Sequence, residues 1–283
     1  MKKMLKKIFA ALTVSVLCLS LAACGNSGSD TITVLSREEG SGTRSAFVEL
    51  TGIEQDKVDR TTPKAEINSS TAVVTQTVVG NQNAIGYISL GSLDDSVKAL
   101  TIDGVAPGVE TVGNGSYPIS RPFNVATKGE LSEAAQDFLN FILSDEGQAV
   151  ITKNGYVSIG STGSFVSTNP GGTVKVAGSS SVSPVMEKLA EAYMSANSAV
   201  EIKLQTSDSS NGMSSTAEGL CDIGMASRAV KDSEKEKGLT ETTICMDGIA
   251  VIVNKENSIN GLTLAQVCDI FTGTVTSWSA LNQ

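Results

Sequence analysis

"TITVLSREEGSGTRSAFVEL", Thr31 to Leu50, joins an apolar, β-branched run to an amphipathic one through a turn carrying Arg37, Glu38, Glu39 and the run Gly40-Ser41-Gly42-Thr43. The first part predicts a strand over 31–35, and the last part a helix from about Thr43. A helix start leaves backbone N–H groups without partners, and Ser, Thr and Gly are the residues that cap it or let a ligand approach it closely. Two later stretches have the same design. In "TVKVAGSSSVSPVMEKLAEAY" (173–193), Pro184 suits a first helical turn and Ser183 an N-cap; in "VEIKLQTSDSSNGMSSTAEGL" (200–220), Ser209 to Gly212 precede a short helix.

Around these corners, strand-like and helix-like runs alternate. Strands are expected at 84–90, 122–127, 221–227 and 248–254, and helices at 71–79, 131–143, 184–196 and 263–271. This alternation predicts an α/β fold with open sheets and a ligand at the carboxyl ends of the strands. "GSTGSFVSTNPGG", Gly160 to Gly172, is mostly Gly, Ser, Thr, Asn and Pro and reads as a linker.

The chain has 283 residues, no histidine and a formal charge of −9. Its first 23 residues read as a secretory signal peptide, with Lys2, Lys3, Lys6 and Lys7 ahead of an apolar run that Thr13, Ser15 and Ser20 interrupt. "LAAC", Leu21 to Cys24, resembles the lipobox of bacterial lipoproteins, which implies acylation of Cys24 and a flexible tether over 24–30. Losing the leader removes four lysines and no acid, taking the charge from −9 to −13. An extensive nucleic-acid contact is thereby excluded, and any bound anion must be held by local donors. Cys221, Cys245 and Cys268 remain in apolar settings without a C-x-x-C pair, the pattern of free thiols rather than a disulfide framework or a zinc site.

Taken together, the three corners suggest an anion cradle. Arg37 adds a guanidinium able to grip two oxygens of a tetrahedral oxyanion; the bland alternative is a surface ion pair with Glu38 or Glu39. Glu39 should repel a bare anion, but it can accept a hydrogen bond from a ligand that carries a proton, as monoprotonated phosphate does and sulfate does not. Sites built around a required hydrogen bond reject analogues lacking it by on the order of 10⁴-fold. The nucleotide signatures G-x-x-x-x-G-K-[ST] and G-x-G-x-x-G after a strand are absent. A serine hydrolase or phosphatase is the enzymatic rival, but the chain has no histidine, no G-x-S-x-G and no S-x-x-K base. Two further rival functions are a binder of sulfate or molybdate, which Glu39 disfavours, and a purely structural surface lipoprotein, which would not need the three corners.

"REEGSGTR", "AGSSSVSPV", "TSDSSNG", "DIGMASR", "DGIAVIVN", "IFTG…SW" and "NAIGYISL" together resemble the phosphate-binding proteins of bacterial phosphate ABC importers, over nearly all of residues 31–283. The resemblance implies a periplasmic-binding-protein-like fold, with two lobes of open mixed sheet joined by a hinge and closing on one phosphate. It implies no catalysis and no cofactor or metal, and a monomer that is lipid-anchored outside the cell membrane and hands phosphate to ABC permease subunits. It places Arg37, Glu39, Gly40, Ser41, Gly42 and Thr43 on the ligand from one lobe, and Ser180, Ser181 and Ser209 from the other. Ser227 stands where many members have a further aspartate, which leaves Glu39 the chief proton acceptor; Arg228, beside it, contributes or points into solvent.

The order of the motifs differs from the family's usual one, because the "VKVAGSSSVSP" part follows the "SREEGSGTR" part. The chain therefore resembles a circular permutation, with 160–172 joining the usual ends. One lobe is then discontinuous, 31–124 with 247–283, and the other, 125–246, is continuous. The hinge is expected near "PFNVAT" and "MDGIAVIV".

Overall fold

In the computed structural model residues 30–282 are described. The signal peptide, Cys24 and the tether up to residue 29 lie outside them. Strand β1 (Thr33–Arg37) leads through the turn into the Gly42–Leu50 helix. A small hairpin of β2 (Glu54–Gln55) and β3 (Val58–Asp59) follows, then β4 (Glu66–Asn68), the Thr71–Gly80 helix and β5 (Ala84–Ser89). Short β6 (Lys98–Ala99) and β7 (Thr101–Ile102) precede the long β8 (Ser120–Lys128) and the helices Glu133–Leu143 and Asp145–Lys153. Then come β9 (Gly172–Ser179), the Ser183–Ala196 helix, β10 (Val200–Ser207), the Ser209–Ala217 helix and β11 (Ile223–Ala226). The chain ends with β12 (Leu239–Val253), β13 (Gly261–Leu262) and the Leu264–Thr272 helix.

The main sheet runs β10-β9-β11-β8-β12-β5-β1-β4, with β6 also on β12. It is mixed. β10, β9 and β11 are mutually parallel, as are β5, β1 and β4, and the antiparallel pair β8–β12 joins the two trios. Each trio has one topology. The first strand lies in the middle, a helix leads to the second strand on one side, and a second helix leads to the third strand on the other. A sequence repeat is not visible, so the likeness is one of topology alone.

Burial follows position in the sheet. All six residues of β5 are buried, as expected for an inner strand covered on both faces, whereas edge strand β10 buries Val200 and Ile202 and exposes Glu201 and Lys203. Of the four hydrophobic clusters among the described residues, two are large and form the main cores. One gathers residues between Phe123 and Cys245, including Phe138, Phe141 and Tyr193; the other joins residues 32–119 to 249–278, including a stacked Phe47–Tyr87 pair with ring centroids 3.9 Å apart. Each fully buried ring contributes about 1.5–3 kcal/mol through removal from water. β8 and β12 cross between the cores, with a register shift between Thr243 and Cys245.

Several expectations shift. β12 begins nine residues before the expected 248, because "LTETTICMD" is half exposed and lacks a continuous apolar signal. The cap of the Ser183–Ala196 helix is Val182 rather than Ser183: the turn from β9 is so tight that the Val182 N–H already donates to Ser179 O, and Ser183 becomes the first helical residue. The stretch 160–172 is irregular but firmly attached. Buried Asp137 accepts from Ser167 Oγ at 2.7 Å and Thr168 N at 3.0 Å, while Phe165 packs edge-on to Phe141. Cys221, Cys245 and Cys268 are free thiols, the first two buried and Cys268 half-buried. No helix among the described residues is long and apolar enough to cross a membrane.

Candidate oxyanion site

The carboxyl edges of the two parallel trios face each other, and four helix N-termini meet there. In the first trio, the Gly42–Leu50 helix is capped by Ser41, whose Oγ accepts from Arg44 N at 3.3 Å, and the Thr71–Gly80 helix by Ser70, which accepts from Val73 N at 3.3 Å. In the second, the Ser209–Ala217 helix is capped by Asp208, which accepts from Asn211 N at 2.9 Å, and the Ser183–Ala196 helix starts just after Ser180 and Ser181.

The side chains at this edge form one buried hydroxyl network. Thr43 Oγ1 lies 2.8 Å from Ser181 Oγ and 3.3 Å from Ser227 Oγ. Ser227 Oγ accepts from Ser179 Oγ at 3.0 Å and lies 3.4 Å from Ser209 Oγ, which in turn accepts the Ser227 N–H at 3.1 Å. Thr43, Ser181 and Ser209 are fully buried, and Ser227 and Arg37 are each only 1% exposed. Arg37 donates from Nη2 to Ser180 Oγ at 3.1 Å and from Nη1 to Thr71 Oγ1 at 3.3 Å. The two halves therefore touch through bonds that only small groups permit. A Cβ on Gly42 would land on the Ser209 and Ser227 hydroxyls, and one on Gly40 on the Asp208 carboxylate. The Gly40 carbonyl also accepts from Ser210 N at 3.2 Å.

Arg37, Gly40, Ser41, Gly42, Thr43, Ser180, Ser181, Ser209 and Ser227 thus come together, with Ser41 serving as cap. Glu39 does not join them. It is exposed at the turn, and the neighbouring Glu38 reaches back to Arg37, accepting from Nε at 2.7 Å and from Nη2 at 2.6 Å. The ion pair expected as a bland alternative exists, yet it is not a surface pair, because its guanidinium is buried. Arg228 does not point into solvent either. It is 6% exposed and gripped by Glu234 through bonds of 2.9 and 2.8 Å. Burial raises the Glu234 carboxyl's pKa, but Arg228 and the Lys231 N–H outweigh it and hold the carboxyl below its usual range.

Thr71 is the member that sequence reasoning missed. The helix from 71 was legible, but the strand before it, Glu66–Asn68, is three residues long and largely exposed, so no strand-loop-helix corner stood out. Ser70 ahead of an apolar run was the available signal. A cleft of about 570 Å³ adjoins the network and is lined in part by Thr71, Ser180, Ser92 and Asp94. Beneath the site, where β8 and β12 cross, Arg121 and Asp247 pair at 3.2 Å, both essentially buried. Burial pushes the Asp247 carboxyl up to about 6, against the opposing pull of Arg121, Ser89 and the Gly91 N–H.

A family model described as the PBP superfamily domain matches residues 2–146 and 164–283. Phosphate-binding protein PstS 2 of Streptococcus agalactiae is 50% identical over 273 residues, covering 93% of each chain. A crystal structure of a phosphate ABC transporter, phosphate-binding protein from Streptococcus pneumoniae TIGR4 superposes with a TM-score of 0.70 at 46% identity, covering 89% of this chain and 99% of that one. Phosphate-binding protein PstS of Bacillus subtilis is 35% identical over 131 residues, 45% of this chain and 42% of that one.

Proposed function

Since the chain belongs to the PBP superfamily and, within it, to the phosphate-binding proteins of phosphate ABC transporters, we propose that it captures inorganic phosphate at the hydroxyl network and releases it unchanged. The observation that carries this assignment is the convergence of Thr43, Thr71, Ser180, Ser181, Ser209 and Ser227, drawn from both parallel trios, around the buried Arg37 guanidinium. Each hydroxyl or backbone N–H that turns to a phosphate oxygen makes a charge-assisted bond of roughly 1.5–3 kcal/mol, enough together for micromolar affinity or better after the costs of ordering.

Lobes spanning 31–124 with 247–283, and 125–246, follow the two cores, and β8 with β12 is the hinge on which they part. The bonds that close the cleft, Thr43 to Ser181 and Ser210 N to Gly40 O, all cross between these lobes. A circularly permuted order is supported by two features. Asp30 and Trp278 meet, Trp278 N donating to Asp30 O at 3.1 Å, and the pinned 160–172 stretch bridges two elements of one core. The Streptococcus agalactiae relative aligns along nearly its whole length and the Bacillus relative over less than half, the pattern that a motif order shared with the first and not with the second would leave. The protein works outside the cell membrane as a monomer, held by acylated Cys24, and delivers phosphate to permease subunits.

Calorimetric titration of the purified protein with phosphate tests the assignment. Saturable one-site binding at micromolar affinity or tighter is expected, and absence of heat or competition at millimolar phosphate overturns it.

A further inference from the structure

Away from the hinge strands, two sets of bonds among the described residues cross between the lobes. The first is the hydroxyl network, whose Thr43–Ser181, Thr43–Ser227, Thr71–Ser181 and Arg37–Ser180 contacts join groups that can each turn to a phosphate oxygen. The second centres on the Gly40 carbonyl, which accepts from the Ser210 N–H and from Ser210 Oγ, both at 3.2 Å. A carbonyl oxygen only accepts, and so does a charged phosphate oxygen. The two Ser210 donors are therefore spent on holding the halves together and not on the ligand. The N–H is available because Ser210 is the second residue of the Ser209–Ala217 helix, where backbone donors have no partner within the helix.

Ser210 is also braced from behind. Arg228 Nη2 donates to its Oγ at 3.3 Å, which leaves the serine proton to point at Gly40. The guanidinium is in turn fixed by Glu234 at 2.9 and 2.8 Å and by the Ala229 carbonyl at 2.9 Å. Successive bonds of this kind polarise one another, so Arg228, Ser210 and Gly40 form a directed relay. It runs from the lobe of residues 125–246 to the turn that carries Arg37 and Thr43. Resting on the phosphate-binding reading, we propose that Ser210, braced by the Arg228–Glu234 pair, is a latch on the Gly40 carbonyl that sets how long a captured phosphate is held, without touching it. Phosphate leaves only after the lobes part. A bond made in the closed form and absent from the ligand therefore slows release and leaves encounter with the open cleft unchanged.

The test is the release of radiolabelled inorganic phosphate from the purified protein into excess unlabelled phosphate, with association measured by rapid mixing. Ser210→Ala is expected to release phosphate about three- to tenfold faster, with association within about twofold of the parent, and Ser210→Thr, which keeps the hydroxyl, should restore slow release. Arg228→Gln should also speed release, and adding it to Ser210→Ala should bring less than the product of the two single effects, because both act on one relay. Unchanged release in Ser210→Ala, slower association in place of faster release, or full multiplication of the two effects overturns the latch while leaving phosphate binding intact. A parent protein that retains no labelled phosphate overturns both the latch and the assignment it rests on.

Discussion

The two parallel trios share a topology and divide the work differently. The β4-β1-β5 trio brings charge to the site: Arg37 at the end of its middle strand, with Glu38 fixing two of its nitrogens. The β10-β9-β11 trio brings hydroxyls from the matching place, Ser179, Ser180 and Ser181 at the end of its middle strand, and Ser209 and Ser227 beside them. The same strand-to-helix corner thus becomes a charge clamp on one side and a hydrogen-bond lining on the other. What the difference teaches is that the fold supplies position and the helix field, while the chemistry depends on a few residues at the strand ends.

Removing the clamp should break the comparison most severely. Arg37→Ala is expected to weaken phosphate binding by about 100-fold or more, because it deletes the guanidinium and leaves Glu38 without its partner; titration calorimetry reads the loss. Gly42→Ala tests the contact between the halves. Its methyl would meet the Ser209 and Ser227 hydroxyls, so affinity should drop by at least about tenfold with thermal stability little changed. On the lining side, Ser181→Ala and Ser209→Ala should each cost about tenfold, near the lower end for a bond to a charged ligand. Equal losses for Arg37→Ala and Ser181→Ala would erase the division of labour.

A fourth expectation concerns stability rather than binding. Asp137 is buried beside the core that contains Phe138 and Tyr193. Burial raises its pKa, but the Thr168 N–H and the Ser167, Tyr193 and Thr168 hydroxyls outweigh burial and hold it below its ordinary value of 3.8. Its contribution is therefore present above the unfolded carboxylate range and is lost as pH falls through the lowered folded value. Asp137→Ala should destabilise the protein by about 2–3 kcal/mol in urea denaturation at neutral pH, and the gap from the parent should narrow toward acid. The smallest effect is expected for Glu39→Gln, within about twofold on phosphate affinity, against a larger loss for Glu38→Gln.

Most of the sheet was legible because its inner strands are continuous apolar runs and its helices follow capped corners; "AIGYIS" and "TVKVAG" needed no tertiary information. Elements that were missed had mixed patterns. The Asp145–Lys153 helix follows the preceding one after the single residue Ser144, which both ends and caps, so the sequence shows one helix where there are two. The site was legible in its hydroxyls and its arginine but not in its acids. Glu39 was expected on the ligand because the resemblance places it there and an ionised carboxylate can accept a ligand's proton. β1 ends at Arg37, however, and the turn over Glu39 and Gly40 rotates the chain so that Glu38 is the residue that folds back. Which of two adjacent carboxylates meets a guanidinium depends on one turn's dihedral angles, and those are set by contacts such as Ser210 N to Gly40 O from a distant part of the chain.

The meeting of Asp30 with Trp278 and Ser279 has a mechanical consequence. Asp30 receives the Trp278 N–H on its carbonyl and the Ser279 N–H on its carboxylate, and three residues later the chain enters β1 between two parallel neighbours. A pull applied ahead of Asp30 would be taken first by this small clasp and then along the axis of β1, where the ladder bonds on both sides resist sliding together rather than parting one by one. Under the lipid attachment proposed above, the load would enter at a strand end that resists in shear.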